Sequence, residues 1–534
     1  MLSSAQNAAP AWSDAVSLGL TSPSPYRSVY DAAGNLYVAG IFTTTTSVGG
    51  TVLPNQGGND GYVAKFTPTG ALDWVVPFST PGNEGVYAVA VDAAGNVFVT
   101  GHFTNAIALG NGVTLSNSSG TSSRLFVVRF SPQGIAQWAQ QSSASGVSAQ
   151  AIGLDATGSV YVSGLYTSTL TIGPTSITYP AGSTPLIGVF LARVSAATGA
   201  VQSLSHAFHL ERLSSTGTVT WYTPGIAVTP AGEVVLHNVF NQRAVFSGAT
   251  LTPTGLNDVL VARFDAQGAF QWARQGGGTG EDRIYSAQVD AVGNVYAAGF
   301  FNGSASFDAA SLPGSGGLDG FLVKYSPQGA LQWVRTIGSP GPDAYNYVAL
   351  DNADNPYTVG NLGGPAQVGS LSLTTTGGAD VLLAAYTPQG QVRWVQQAGG
   401  PGTDSGHQLS FAANGDALVF GTFEQTCAFG PLSLSTSTPP GYFKSRLAGA
   451  ALPTRAATAT QPLALYPSPA TDQLHLPVLP AGTRVQLLDA LGRVARTATV
   501  AAGAISVRGL PAGLYSLRAA DAHGRAYRGR VVVE

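Results

Sequence analysis

The chain has 534 residues, of which 44% are hydrophobic and only 10% charged, with a formal net charge of −3. No run of eighteen apolar residues occurs, so the sequence predicts no membrane-spanning helix, and the absence of a basic stripe argues against a nucleic-acid partner. The single cysteine, Cys427, excludes an internal disulfide and reads as a buried, inert thiol.

The charge is uneven. Residues 1–450 carry a net −8 and residues 451–534 a net +5. The start, Met1 to Pro10, lacks a charged n-region and an apolar h-region. It does not read as a signal peptide and resembles the small, polar start of a mature exported chain.

A ten-residue unit then recurs. Asp290-Ala-Val-Gly-Asn-Val-Tyr-Ala-Ala-Gly299 has close copies at Asp31–Gly40, Asp92–Gly101 and Asp155–Gly164, a worn copy at Asp351–Gly360, and degenerate ones starting at Thr229 and Ala412. The intervals are 61, 63, 74, 61, 61 and 61 residues, the signature of a repeat architecture. Asp opens a type I turn and Gly closes it from the left-handed region, so each unit reads strand–turn–strand. A second hairpin follows, as in Phe321–Tyr325, the turn Ser326-Pro-Gln-Gly329, and Ala330–Trp333. Two hairpins per repeat predict four strands, and seven repeats predict an all-β, seven-bladed β-propeller over residues 1–449. Trp74, Trp138, Trp272, Trp333 and Trp394 mark the fourth strands, with Leu204 in that place in the third repeat. The seventh repeat lacks a fourth strand, and Trp12 near the start supplies the missing piece. An N-terminal strand is therefore expected to complete the last blade and close the ring. An open β-solenoid, the rival arrangement, would need caps at both ends.

Between second and third strands, patterns such as Phe429-Gly-Pro-Leu-Ser-Leu434 predict long loops or an accessory hairpin, where binding usually lives. One interval is long by about thirteen residues and holds His206, His209, Glu211, Trp221 and Tyr222. A metal site there would use His and Glu. In a regular strand, however, His206 and His209 point to opposite faces, whereas His209 and Glu211 share one. His209, Glu211, Trp221 and Tyr222 are the ligand-contact candidates, and the aromatic pair suits a sugar or a protein surface.

The turn acids Asp31, Asp92, Asp155, Asp290 and Asp351 read as caps. Two further series, Glu84, Glu281, Asp282, Asp343, Asp404 and Asp60, Asp258, Asp319, Asp380, read as turn residues or weak calcium ligands. No other cofactor is expected. Lys65, Arg129, Arg193, Arg263, Lys324 and Arg446 recur on the third strand, broken by Ala385, and read as structural partners of a recurring acid. No phosphate loop, nucleophile–base order or paired-carboxylate motif occurs, so no catalytic residue is assigned, although groups can converge from several blades without a linear motif.

The repeat unit, with Gly-Phe-Leu-Val-Lys-Tyr and Gly-x-x-x-Trp behind it, resembles the bacterial "SBBP" repeats of seven-bladed propellers over roughly residues 11–449. That resemblance implies a fold and an exported or surface location, and no reaction.

An Ala/Thr/Pro tract at 450–462 reads as a linker. Residues 463–534 follow as a compact unit of short strands, Leu474–Leu476, Val485–Leu488, Ile505–Val507, Leu514–Leu517 and Arg530–Val533, predicting a small β-sandwich. This segment resembles the C-terminal type A sorting domain of the type IX secretion system. The matching residues are Tyr466, Pro467 and Pro469, then Asp489, Gly492 and Arg493, then Gly513 and Tyr515. Ser468 stands where the family usually has Asn, and the end is rich in Arg rather than Lys. The resemblance implies secretion machinery as partner, passage through the periplasm and across the outer membrane of a Gram-negative bacterium, and removal of the domain with release or surface attachment. It also implies an N-terminal signal peptide, which the start as written does not provide.

The expected function is a non-catalytic binding or adhesion scaffold, with a glycan or surface protein as ligand. The alternative is a secreted enzyme acting on polysaccharide from the propeller channel. What the channel mouth collects separates the two: acids and aromatics from several blades, or only Ser, Thr and Gly.

Overall fold

The computed structural model describes the chain apart from residues 1–8, 21–23, 118–121, 144–145, 180–184, 214–223, 451–460, 464, 478, 480–481, 490–493, 502 and 521–525. Two compact units divide at residue 451, Met1–Ala451 and Leu452–Glu534. The described residues form strands and turns and no helix.

The first unit is a β-propeller. Its first sheet runs Ser24–Tyr30, Leu36–Phe42, Asp60–Phe66, Leu72–Phe78 as an antiparallel meander. The same order recurs, so that the described residues contain seven sheets built on this meander, two of them extended to six strands by an accessory hairpin of the next repeat. Their inner strands are Ser24–Tyr30, Gly85–Val91, Ser148–Leu154, Gly225–Val228, Arg283–Val289, Ala344–Leu350 and Ser405–Phe411. Each packs on the next, and Ser405–Phe411 packs back on Ser24–Tyr30. The last sheet takes its outer strand from the N-terminus: Trp12–Ser17 pairs antiparallel with Gly441–Leu447. Ring closure leaves no sheet edge facing a missing neighbour.

The repeat unit forms the inner hairpin. Asp31 Oδ1 accepts from the backbone N–H of Ala33 and Asn35, and its Oδ2 accepts from Asn35 Nδ2 and Tyr37 Oη. Gly34 has φ +84°, and in the worn copy Asp354 takes the same left-handed place at φ +59°. Between second and third strands the chain forms an accessory hairpin, as at Thr426–Phe429 with Leu432–Ser435. Its Ala428 bridges to Gly399 of the preceding sheet.

The repeated Trp and Lys/Arg act together as clasps between sheets. They sit opposite each other, as in Trp74 with Lys65 and Trp333 with Lys324. Both donate to one carbonyl in the next sheet's outer turn: Trp333 Nε1 and Lys324 Nζ each lie 3.1 Å from Pro388 O. Trp74 and Lys65 do the same at Pro132 O, and Trp138 and Arg129 at Ala196 O. The basic series therefore answers mainly a backbone carbonyl, with acids such as Asp155, Glu233 and Asp416 joining in some sheets. In the last sheet Lys444 reaches Pro68 O of the first, closing the circuit, and burial pushes its ammonium down to about 8. Trp12 is not in register with the other tryptophans. Asp14, not Trp12, faces Arg446, and Trp12 packs edge-on against Phe429 and donates to Gln397 O. In the third sheet, Ser203 rather than Leu204 faces Arg193.

The second unit holds a five-stranded sheet, in the order Gln461–Pro462, Ala526–Val533, Gly513–Ala520, Arg484–Leu488, Val494–Thr499, and a two-stranded one of Gln473–His475 with Ala504–Ser506. Leu474, Ile505 and Val507 share a buried core with Val485, Leu487, Leu517, Val531 and Val533.

Candidate functional site: the channel mouth

The site begins with the last residue of the repeat unit. A Cβ at Gly299 would strike the carbonyl oxygen of Arg283, and one at Gly360 that of Ala344. The clash exists because the inner strand bulges there, two residues opposing one. Bulges recur in six sheets, between Pro25/Arg27, Val86/Ala88, Ala149/Ala151, Ile284/Ser286, Tyr345/Tyr347 and Gly406/Gln408. The fourth sheet, with Asn238 in place of the glycine, has none. The extra residues are Tyr26, Tyr87, Gln150, Tyr285, Asn346 and His407, each five positions before the start of a repeat unit. This column of mixed aromatic and amide residues was the signal in the sequence that pattern reading passed over, because a regular strand would alternate through it.

Tyr26, Tyr285, Asn346 and His407 line a cavity of about 440 Å³ at the channel mouth, together with Arg27 and Tyr347. Tyr87 stands edge-on to Tyr26 at 5.0 Å and stacks on His102 at 5.3 Å. A narrower space of about 270 Å³ shares Arg27, Tyr285 and Tyr347 with the mouth and continues between the inner strands. The described lining residues of both spaces include no Asp or Glu. The mouth thus collects aromatics without acids, an outcome between the two expected.

Its electrostatics follow from enclosure. Desolvation pushes His102 and His407 down to about 4, and His237, also facing the Arg27 charge, to about 3, so all three are neutral imidazoles at pH 7. Burial also lowers Arg27, which nonetheless keeps contact with channel water. Tyr347 is raised by burial, and its hydroxyl accepts from Gln288 Nε2 at 3.2 Å. His407 Nε2 lies 2.9 Å from Thr422 Oγ1. Such a rim can stack on a ring and hydrogen-bond hydroxyls.

The sequence candidates lie elsewhere. Trp221 and Tyr222 fall outside the described residues. His209 and Glu211 end the strand Val201–Glu211, the fourth of the third sheet, where Arg243–Phe246 pairs on its far side. Here the strand is not regular. Val189 faces Phe208 while Phe190 faces His206, leaving Ala207 as a bulge. That extra residue puts His206 and His209 on one side, contrary to the alternation expected of them. His206 Nδ1 lies 2.6 Å from Tyr166 Oη, His206 Nε2 3.1 Å from His209 Nδ1, and His209 Nε2 3.4 Å from Glu211 Oε1, with Arg243 at 3.7 Å from the other carboxylate oxygen. A carboxylate only accepts, so His209 donates from Nε2, His206 donates to His209, and Tyr166 donates to His206. Every imidazole nitrogen is thereby occupied. Burial and then the neighbouring His209 push His206 down to about 4.

The two further acid series meet in pairs between sheets. Asp258 raises Asp282, Asp319 raises Asp343 and Asp380 raises Asp404, beyond a larger effect of burial. Asp282 and Asp404 reach about 6. Most of their oxygens cap loops, as Asp343 does for Ser339 and Gly363. Asp319 Oδ1 and Asp380 Oδ1 accept nothing. For the weak calcium binding expected here, each interface offers two carboxylates, and no group of three or more metal-ligating side chains occurs among the described residues.

In the second unit, Tyr466 is exposed and stacks on His475, followed by exposed Pro467 and Pro469. Tyr515 is buried and donates to Pro511 O, Gly513 opens its strand, and Asp489 follows Arg484–Leu488. Gly492 and Arg493 lie outside the described residues.

Among known proteins, a 208-residue stretch is 26% identical to an uncharacterized WD repeat-containing protein of Acanthamoeba polyphaga mimivirus, covering 35% of this chain and 15% of that one. The chain thus spans about a seventh of the length of that relative. Solved structures it is similar to include an ulvan lyase, a polysaccharide lyase, at 10% identity over 82% of this chain and 96% of that one, with TM-score 0.39. Another is a puromycin hydrolase, at 15% identity over 87% and 57%, with TM-score 0.39. Likenesses this distant say nothing about a ligand or reaction here. Residues 464–534, in contrast, match the secretion system C-terminal sorting domain family. The second unit is therefore a sorting domain, and the chain is exported by the type IX secretion machinery to the cell surface or the extracellular space.

Proposed function

We propose that the propeller, whose repeats we read as SBBP-type, is a non-catalytic recognition module that seats a glycan at its channel mouth. One observation carries this reading. Four of the six inner-strand bulges place Tyr26, Tyr285, Asn346 and His407 in the cavity wall, and the described lining contains no carboxylate. Tyrosine rims stack on sugar rings, and amides exchange hydrogen bonds with hydroxyls. Polysaccharide hydrolysis by the usual route needs a pair of carboxylates at defined separation, and the described lining of the mouth holds none. The test is a glycan-array screen of the full chain, with each bound glycan then incubated and assayed for new ends or unsaturated products. Binding without turnover supports the reading. Turnover overturns it in favour of a secreted polysaccharide-acting enzyme. If no glycan binds, the ligand is of another class and the reading falls.

A further inference from the structure

Among the described residues no carboxylate pairs with Arg27. It sits at the bulge of the first inner strand, inside the ring, and lines both the mouth and the inner space. Among the described residues no ion pair or hydrogen bond engages its guanidinium, although Arg274, Arg335 and Arg393 each donate to protein acceptors. The described lining holds no carboxylate to neutralise it. Its neighbours are uncharged: Tyr347 and His237 by their electrostatic effect, and His407 and Gln408 in the cavity wall. An unpaired guanidinium lining a channel presents a rigid fork that matches an oxyanion. The side chain remains open to channel water, so a ligand can reach it.

We infer that the channel mouth seats an oxyanion, the carboxylate or sulfate group of an acidic saccharide, on the Arg27 guanidinium. This rests on the glycan reading above and names its substrate class. The tyrosine rim holds the sugar ring, and Arg27 holds the charged substituent that points down the axis. Asn346, whose Nδ2 already donates to Ser405 Oγ and Gly406 O, keeps its amide oxygen for a ligand hydroxyl.

The experiment is calorimetric titration of the full chain with a galacturonic acid trisaccharide, a sulfated galactose trisaccharide and neutral galactotriose, alongside thermal shift in sodium sulfate against sodium chloride of equal ionic strength. The expected result is at least tenfold tighter binding of one acidic saccharide than of the neutral one, the tighter acid identifying carboxylate or sulfate. Arg27→Gln erases that preference, Arg27→Lys retains part of it, and Tyr285→Ala weakens acidic and neutral sugars alike. Equal binding of acidic and neutral sugars, or a preference that survives in Arg27→Gln, overturns the inference while leaving the glycan reading standing. If no saccharide binds, the sulfate arm decides: a thermal shift present in the wild type and absent in Arg27→Gln keeps the anion seat, and no difference removes it. Circular dichroism of each variant guards against misfolding, and Arg27→Lys provides the second variant if Arg27→Gln does not fold.

Discussion

The closing glycine of six of the seven repeat units acts well beyond its own position. The closing Gly of the unit lets the first strand bulge, and the bulge turns a side chain into the channel. Gly299→Ala should therefore cost about 2–4 kcal/mol, because the new Cβ meets the Arg283 carbonyl and the backbone must shift. Gly303→Ala meets open space and pays only for its φ of +78°, about 1 kcal/mol. Denaturant midpoints of the two variants check the contrast, and equal losses would show that the bulge tolerates a side chain. The buried acids give a second prediction at this scale. Asp282 and Asp404 are raised to about 6 from an ordinary carboxylate value, so the folded chain holds protons that the unfolded chain has released. Their contribution to stability is present at low pH, is lost as pH rises from about 4 through 6, and stays lost above. Asp404→Asn should stabilise the propeller at pH 7.5 by about 2 kcal/mol and flatten that part of the profile. His237, lowered to about 3, acts in the opposite sense: its contribution is intact above about 6.5 and lost as pH falls toward 3. Denaturant titrations of the unaltered chain and of Asp404→Asn from pH 4 to 8 isolate the acid slope, and an unchanged slope in Asp404→Asn would remove the acid assignment.

Between elements, the clasp of Trp and Lys or Arg on one carbonyl explains why those residue types recur together. The indole and the cation meet the same outer turn of the next sheet, so a repeat that has both carries the donors for its neighbour. Trp333→Phe keeps most of the packing and removes one donor. It should cost about 1 kcal/mol, and Lys324→Met in addition should cost more than the sum of the single changes, because Pro388 O then lacks both partners. A double-mutant cycle on thermal midpoints measures this. Additive losses would mean that water replaces the clasp at no cost. The accessory hairpins belong to the same scale. Their apolar–Gly–x–x–x–Leu pattern was legible, but whether they formed loops or hairpins depended on the outer strands on which they lie.

At the scale of the whole molecule, the N-terminal strand is the closure of the ring. Removing residues 9–18 leaves Gly441–Leu447 as an open edge, and the expected outcome is a lower midpoint and self-association visible by light scattering. A monodisperse product of unchanged stability would show that the ring does not depend on this strand. Export is the other property of the whole chain. Deleting 463–534 in the native host should leave the protein in the periplasm, and unchanged appearance outside the cell would sink the sorting assignment.

The sequence by itself determined the repeat period, the hairpins, the closing strand and the sorting tail. Each of these is written in local chemistry: Asp and Gly at turns, Pro in the second turn, apolar strand runs, and a tail whose motifs follow one another in order. The tertiary structure alone decided what faces the channel. Tyr285, Asn346 and His407 come from different repeats, and they meet only because the inner strands converge on one axis and these three bulge at the same place in the repeat. The same cause moved His206 and His209 onto one side of their strand. A bulge changes the parity of a strand without changing its pattern of apolar residues, so alternation read from the sequence passes through it unaltered.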